Sequence, residues 1–547
     1  MANKEARVLL IGSEDEENLA LRYLAAVLEK DGHKVEISPC SRYEHFTKVL
    51  KTVSKYKPHL IGISIAFQSF AKMYFKLVEE IRKLNYKGHI IVGGHFVTFD
   101  YRKILETQAG IDSVGRFEGE KTIVELANHI VRNFPLPSVT NLVYRTSNGV
   151  HENRCLYKFP VLDELPFPKR NNRPQIRLGE KFATLVASRG CWHSSCLYCC
   201  IGAFHSKKEG AKFAIRSPEN VAEEIGELYH KYGIRLFQFH DDNFMLPSKE
   251  ETVKRLTDLK NAMEAKNIDT QKIAFLIKAR PDTVDDEVAF VLKELGVVGV
   301  FLGIENASES GLKALIRRVT LEDIHRALSA LTKLDIIVTY NLLIFHPTTT
   351  LDEINENIEF MRKHMYLPFD FGRAEVVAGS PLEKMLIANN RLLGSWPNWN
   401  YEIFDEAVER IFKINCLTFR KKDSLYPRLA ESTIALAYHA YTLERLHNGP
   451  IADEIVKDVN KMITEINDFI IKGILKMYEL AISRIEKSDI ESLYEDISNG
   501  CQKYLELINE ITLKMLRLQV TENIFDSFGI KDVVQKYGLF KFLFRLR

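Results

Sequence analysis

Four of the eight cysteines in this 547-residue sequence lie close together, at Cys191, Cys196, Cys199 and Cys200. The sequence has no apolar stretch long enough for a membrane span, and its first residues lack the apolar run of a secretory signal. We therefore expect a reducing, cytoplasmic environment. In that environment crowded cysteines indicate metal binding or redox chemistry before disulfides.

Two kinds of metal centre fit this cysteine cluster. A four-ligand zinc site would need a second pair of cysteines nearby, but the next cysteine is Cys416, so zinc would have to use His193 or His205. Thiolates also hold iron–sulfur clusters, and three of them leave one iron free for another ligand. A catalytic cluster needs such an open iron, so an iron–sulfur centre is favoured and zinc stays the alternative.

The elements that would position this cluster follow from the pattern of apolar residues. Over residues 1–140, short apolar runs such as 7–12, 60–65 and 89–94 alternate with helical patterns. This alternation predicts an α/β domain with a doubly wound, Rossmann-like parallel sheet. Prolines concentrate over residues 141–180, which we interpret as a linker.

A second series of strands and helices follows over residues 181–385. Its predicted strands lie at 183–187, 236–240, 273–278, 297–303, 336–344 and 371–377. Six such units fit a partial (β/α)6 barrel better than an eight-fold one, and the loops at the carboxyl ends of the strands should carry the chemistry. The cysteine segment begins at the end of the first of these strands. Residues 386–547 predict a mainly helical domain that covers the resulting cleft and sets substrate choice, or serves as a packing or dimerisation module.

The cysteine segment resembles that of the radical S-adenosylmethionine (SAM) superfamily: a strand, then Arg189-Gly190-Cys191, then a Cys-x2-Cys with an aromatic residue inside. The resemblance implies a [4Fe–4S] cluster held by Cys191, Cys196 and Cys199, with SAM on the fourth iron and a 5′-deoxyadenosyl radical formed on reduction. The first gap, Cys-x4-Cys, is one residue longer than is usual in that superfamily. Cys200 lies outside the motif, and we expect it to be a buried free thiol.

Further segments resemble the SAM-contacting elements of that superfamily. They follow the second, third and fourth strands, and with the aromatic residue inside the Cys-x2-Cys they imply SAM contacts from Tyr198, Asp241, Asp242, Arg280 and Glu305. Asp and Asn also favour helix caps and turns, so a structural role for Asp241 and Asp242 stays open.

The N-terminal domain resembles the cobalamin (B12)-binding domain that precedes many radical SAM cores. The resemblance rests on residues 92–98 and 118–120, and it implies cobalamin contacts from Ser64, Gly93, Gly94, His95, Thr98, Gly119 and Glu120. The Asp-x-His-x-x-Gly motif, whose His ligates cobalt in other cobalamin domains, is missing from the sequence. We expect cobalamin to bind without a protein imidazole; the alternative is that the domain binds none.

Together these resemblances identify the chain as a member of the cobalamin-binding radical SAM family. They imply a methyltransferase that acts on an unactivated carbon through methylcobalamin and the 5′-deoxyadenosyl radical. The alternatives are a non-methylating cyclase or rearrangement enzyme and a cobalamin- or zinc-binding sensor without activity. A tRNA methylthiotransferase is disfavoured, because its second three-cysteine set is missing: Cys40 and Cys155 stand alone in the N-terminal part.

The charge composition limits the partners. Lys and Arg total 75 and Asp and Glu 73, giving a formal net charge of +2, so the chain lacks the basic field of a nucleic-acid binder. We expect a small-molecule or peptide substrate and an electron donor such as flavodoxin or ferredoxin.

Overall fold

The computed structural model describes residues 5–521 except 157, 207, 208, 210, 211, 484 and 485. The end of the predicted helical domain, including the aromatic-rich residues 525–547, lies outside this range. None of the described helices combines the length and the apolar character that a membrane crossing requires.

The first sheet has seven strands in the order β2-β1-β3-β4-β5-β6-β7. Its strands are β1 (Arg7–Gly12), β2 (Lys34–Pro39), β3 (Leu60–Ser64), β4 (His89–Gly93), β5 (Ser113–Gly115), β6 (Leu142–Thr146) and β7 (Gly149–Glu152). Its helices are α1 (Leu19–Lys30), α2 (Phe46–Tyr56), α3 (Ala71–Lys83), α4 (His95–Thr107) and α5 (Glu120–Arg132). The first five strands are parallel, so the predicted doubly wound domain is confirmed.

Successive apolar side chains along a strand point to opposite faces of this sheet, which explains why helices cover both faces. Leu9 and Ile11 pack with α2, α3 and α4, whereas Val8 and Leu10 pack with α1 and α5. The sheet continues past the predicted boundary at residue 140, because the hairpin β6–β7 pairs antiparallel with β5 inside the predicted linker.

The second sheet also has seven strands, in the order β16-β15-β14-β13-β12-β9-β8. Its strands, with the separate hairpin β10–β11, are β8 (Gln175–Arg177), β9 (Glu180–Leu185), β10 (Ser188–Gly190), β11 (Phe213–Ile215), β12 (Leu236–Phe239), β13 (Ala274–Ala279), β14 (Val297–Leu302), β15 (Ile337–Phe345) and β16 (Phe369–Arg373). Strands β9 and β12 to β16 are parallel, which confirms the six predicted strand–helix units, and β8 is an antiparallel edge strand.

Helices connect the strands of the second sheet and continue into the C-terminal region. They are α6 (Ile201–His205), α7 (Pro218–Tyr232), α8 (Lys249–Ala265), α9 (Asp286–Leu295), α10 (Glu309–Ala314), α11 (Leu321–Thr332), α12 (Leu351–Lys363), α13 (Pro381–Ala388), α14 (Glu406–Leu417), α15 (Tyr426–Leu446), α16 (Pro450–Ile482) and α17 (Lys487–Thr521). A short hairpin, β17 (Leu393–Ser395) and β18 (Asn398–Asn400), precedes α14. The predicted helical C-terminal region is confirmed for its described residues.

Helix α15 lies on the face of the second sheet that α7 and α8 leave open. Ala435 of α15 packs with Leu236 and Leu276, whereas the neighbouring residues of the same strands, such as Phe237, belong to the opposite face. At its carboxyl end, the His447 imidazole lies 2.7 Å from the carboxylate of Glu180, the first residue of β9. Helix α15 therefore covers the amino-terminal halves of the strands.

Helix α15 thus packs away from the cleft, so its position supports the packing alternative for this helix, and the prediction that the helical region covers the cleft stays a prediction. The amino-terminal half of that face is apolar and has to be shielded from water, and α15 supplies the cover. Helix α14, from the same region, reaches the carboxyl ends, where the ring of Phe412 packs 5.3 Å from that of Phe345.

Candidate active site between the two sheets

A cavity lies where the carboxyl ends of the two sheets face each other. The space between the surrounding atoms, including its open mouth, is about 1490 Å³. Ser64 and Gly115 line it from the first sheet, and Val186, His240 and Asp242 line it from the second. Ligands of open parallel sheets bind outside the carboxyl ends of the strands, so the cavity stands where both sheets would place a ligand.

The structure brings most of the predicted cobalamin contacts together on the wall of this cavity. The lining includes Ser64, Gly93, Gly94, His95, Gly119 and Glu120. Thr98 is a correction: its buried hydroxyl accepts a hydrogen bond of 3.0 Å from the backbone N–H of Phe117 and does not line the cavity.

Gly94 shapes this wall because only glycine fits there. Its φ is +119°, and a Cβ would lie 2.7 Å from the carbonyl oxygen of Ile65. The chain turns at Gly94 from β4 directly into α4. Because Gly93 and Gly94 have no side chains, their backbone atoms line the cavity directly. A bare backbone beside a large cavity suits a flat, bulky ligand such as cobalamin.

His95, the first residue of α4, contributes an imidazole to the cavity wall. Its ring packs 4.5 Å from that of Phe204. Burial lowers the pKa of His95, and the nearby carboxylates of Asp242 and Glu118 only partly oppose that shift. A neutral imidazole is therefore available as a hydrogen-bond partner for a ligand.

Ion pairs and hydrogen bonds join the two domains around the cavity. Arg189 lies 2.7 Å from Glu120, and His240 lies 3.1 Å from Glu16. At the other side, the amide of Gln68 accepts a hydrogen bond of 2.8 Å from the backbone N–H of Ala378. The carboxylate of Glu120 thus anchors the residue two positions before Cys191, a link that the sequence did not predict.

Each of the three predicted cluster thiols has a hydrogen-bond donor in the protein. The thiol of Cys191 accepts from the backbone N–H groups of His193 and Ser194, and that of Cys199 accepts from a backbone N–H in the first turn of α6. Cys196 accepts from Arg317, whose Nη1 lies 3.1 Å from the sulfur. Cys196 is also near enough to both Cys191 and Cys199 to shift their pKa values, so the three thiols share one neighbourhood.

This thiol neighbourhood suits a cluster in which each iron takes one thiolate. Within the described ranges, no three His, Cys, Asp or Glu side chains are arranged to hold a single metal ion, so the zinc alternative gains no support. Cys200 is half-buried rather than buried, and burial raises the pKa of both Cys200 and Cys199, so thiol acidity does not distinguish the two. The choice of Cys199 over Cys200 as the third ligand stays a prediction.

Glu305 and Tyr198 face each other beside the cysteine segment. Glu305 follows β14 with a φ of +67°, and its half-buried carboxylate accepts a hydrogen bond from the Tyr198 hydroxyl. Burial raises the pKa of Glu305, while the positive charge of Arg317 opposes the shift. A partly accessible carboxylate next to the thiols could bind the ammonium group of SAM.

The two adjacent aspartates after β12 have different environments. Asp241 is 1% exposed, and its carboxylate accepts hydrogen bonds from the Ala187 N–H at 3.0 Å and the Ser188 hydroxyl at 2.5 Å. The predicted SAM contact of Asp241 is therefore not supported, and the alternative structural role fits. Asp242 faces the cavity and accepts a hydrogen bond of 3.1 Å from the Gly190 N–H.

Arg280 also departs from its predicted role. Its Nε and Nη2 donate to the two carboxylate oxygens of Asp282 at 3.0 and 2.9 Å. These two guanidinium donors, which would bind a SAM carboxylate, are therefore already bonded to Asp282, two residues further along the chain. Arg280 instead lies over the ring of Trp192, 5.2 Å from its centroid.

Comparison with known proteins agrees with this geometry. The family model described as B12 binding domain matches residues 12–127, and the one described as Radical SAM superfamily matches residues 185–361. The predicted order of a B12-binding domain followed by a radical SAM domain is thus confirmed. The predictions of an enzyme and of cobalamin, SAM and a [4Fe–4S] cluster as its cofactors are confirmed at the level of these domains.

One relative and one solved structure match most of the chain, and a second relative matches less than half of it. An uncharacterised methyltransferase of Pyrococcus horikoshii is 27% identical over 398 residues, which cover 72% of this chain and 83% of the relative. An anaerobic magnesium-protoporphyrin IX monomethyl ester cyclase of a Synechocystis species is 28% identical over 229 residues, 41% of this chain and 43% of the relative. The structure of the cobalamin-dependent SAM radical enzyme OxsB with aqua-cobalamin and SAM shares the fold, with a TM-score of 0.67 at 18% identity over 96% of this chain and 82% of OxsB.

Proposed function

We propose that this protein is a cobalamin-dependent radical SAM methyltransferase that methylates an unactivated carbon of a small molecule or peptide. The observation that carries the proposal is the shared cavity: the wall that suits cobalamin and the loop that leads into the cysteine segment enclose the same space. When bound, the cluster and SAM supply a carbon radical, and cobalamin supplies a methyl group.

The residues of this chain have distinct tasks in the proposal. The cluster ligands are Cys191, Cys196 and Cys199. SAM is held by Tyr198, Glu305 and Asp242, and cobalamin lies against Ser64, Gly93, Gly94, His95 and Gly119. The Arg189–Glu120 ion pair keeps the cysteine segment at a fixed distance from the cobalamin wall, so that both cofactors face one substrate.

The second candidate is a cyclase that uses the same cofactors without transferring a methyl group. The similarity to the Synechocystis cyclase favours it, although that similarity spans less than half of either protein. The methyltransferase similarity covers more of this chain, and we therefore place methylation first.

Labelled SAM separates the two candidates. The full-length protein is reconstituted anaerobically with iron, sulfide and cobalamin, reduced with titanium citrate, and given SAM that carries a deuterated methyl group. A methyltransferase moves the labelled methyl onto the bound cobalamin even before a substrate is known, which mass spectrometry detects. Formation of 5′-deoxyadenosine with no label on cobalamin would instead support the cyclase.

A matched variant isolates the role of the cluster. In C196A we expect 5′-deoxyadenosine formation to stop, because one cluster ligand is lost, while labelled cobalamin still forms. Loss of both activities with intact cobalamin binding would contradict the assigned division of tasks. The electron donor and the cytoplasmic location remain predictions.

A further inference from the structure

The loop after α10 holds Arg317 against the cysteine segment at a conformational cost. The residues on both sides of it, Ile316 and Arg318, have φ values of +55° and +50°, a region that β-branched residues such as Ile rarely adopt. The backbone N–H of Leu197 donates to the Leu315 carbonyl at 3.0 Å, which ties this loop to the cysteine segment. Such strain persists only where the surrounding structure enforces it, so the placement of Arg317 is specific.

The Arg317 guanidinium, which is 4% exposed, connects a predicted cluster ligand to the SAM side of the site. Nη1 lies 3.1 Å from the sulfur of Cys196, and Nη2 donates to the carbonyl of Gly303. A Cβ on residue 303 would lie 3.1 Å from that Nη2, so glycine leaves the room that the guanidinium needs.

A second guanidinium stands beside another predicted ligand. Arg280 is 5% exposed, and its positive charge opposes the burial that raises the pKa of Cys191, so the two groups are close. The Nη2 of Arg280 also donates to the carbonyl of Arg317 at 2.9 Å, which joins the two arginines in one network with Trp192.

Three donors in this network have no acceptor among the described residues. They are Trp192 Nε1, Arg280 Nη1 and Arg317 Nε, and all three nitrogen atoms are shielded from solvent. Buried N–H groups almost always have a partner, because an unmade hydrogen bond costs free energy. These three donors lie in the same network as the Arg317–Cys196 contact, where the sulfur atoms of a cluster would be their acceptors.

We infer that Trp192, Arg280 and Arg317 form a donor set that hydrogen-bonds to the sulfur atoms of the cluster and raises its reduction potential. One electron from an external reductant adds one negative charge at this site, and nearby cations and N–H donors stabilise the more negative state. The inference rests on the proposed cluster and extends it to the residues that set its potential.

The test is a potentiometric titration of the cluster in the anaerobically reconstituted, full-length protein without SAM, followed by electron paramagnetic resonance. In R317Q we expect the oxidised-to-reduced ratio at a fixed solution potential to rise about tenfold, which is a shift of about 59 mV to lower potential for one electron. W192F removes one N–H and no charge, so its shift should be smaller and in the same direction. R318Q is the matched control, because it removes an equal charge from the exposed neighbour and should titrate like the wild type.

The outcomes distinguish this inference from the proposed function. Wild-type protein that binds no iron would refute the proposed cluster itself. Iron-loaded R317Q and W192F that titrate at the wild-type potential would refute the donor set and leave the cluster standing. If R317Q binds no iron, R280Q and W192F are titrated in its place, and a wild-type potential in both refutes the inference.

Discussion

Substitution of Asp241 tests whether its carboxylate stabilises the fold or contacts SAM. Its carboxylate accepts from two groups, the Ala187 N–H at 3.0 Å and the Ser188 hydroxyl at 2.5 Å. In D241N the amide oxygen can still accept from Ala187, and the new NH₂ can donate to the Ser188 oxygen. Both hydrogen bonds keep a partner and the buried charge is removed, so we expect D241N to change the free energy of unfolding by about 1 kcal/mol or less.

D241A removes both acceptors and has a different expected effect. The Ser188 hydroxyl can turn to the Asn243 carbonyl, 3.5 Å away, which leaves the buried Ala187 N–H without a partner. One orphaned buried donor costs about 1–3 kcal/mol, and chemical denaturation of the cofactor-free protein measures this loss. Because burial raises the pKa of Asp241, its ionisation destabilises the fold as the pH rises, and D241N should lack that part of the pH dependence.

SAM affinity gives the decisive comparison between the two roles. We expect D241N to bind SAM as the wild type does, measured by calorimetry on the reconstituted protein. Asp242, the neighbouring residue, faces the cavity. We expect D242N to weaken SAM binding about tenfold, since a hydrogen bond to a charged group contributes about 1.5–3 kcal/mol. A folded D241N that loses SAM binding while D242N keeps it would refute the assignment.

Three further predictions concern the cluster, the domain interface and the helical region. C191A should lose most of its iron whereas C200A should keep it, measured as iron per chain after anaerobic reconstitution; equal loss in both would reopen the choice of ligands. R189Q should weaken cobalamin binding, because it breaks the 2.7 Å ion pair that fixes the cavity wall, and unchanged affinity in absorbance titrations would contradict this. Burial lowers the pKa of His439 to about 4, below its unfolded value of about 6.5, so stability should fall as the pH drops between these values, and H439Q should flatten that part of the unfolding profile.

The strands and the cysteine motif could be predicted because their signals are local. Buried parallel strands are continuous apolar runs, and β14 (Val297–Leu302) is visible for that reason. The cysteine spacing likewise lies within one short segment. The contacts of Arg317 could not be found in this way, since 121 residues separate it from Cys196 and the loop that places it forms only in the fold.

Adjacent residues of the same type can have different roles that the sequence alone does not separate. Asp241 and Asp242 follow the same strand, but one is buried under Ser188 and the other faces the cavity. No local signal separates them, because the difference depends on the chain that packs against each side. The position of α15 has the same origin: its apolar residues predict burial, and only the second sheet determines which end of the strands they cover.

Anomalous diffraction from crystals of the reconstituted protein tests the central claim most directly, because it locates iron, cobalt and zinc separately. We predict iron beside Cys191, Cys196 and Cys199 and cobalt in the cavity between Gly93 and Asp242, with both metals facing the same space. Zinc at the cysteines, or cobalt bound outside this cavity, would contradict the account.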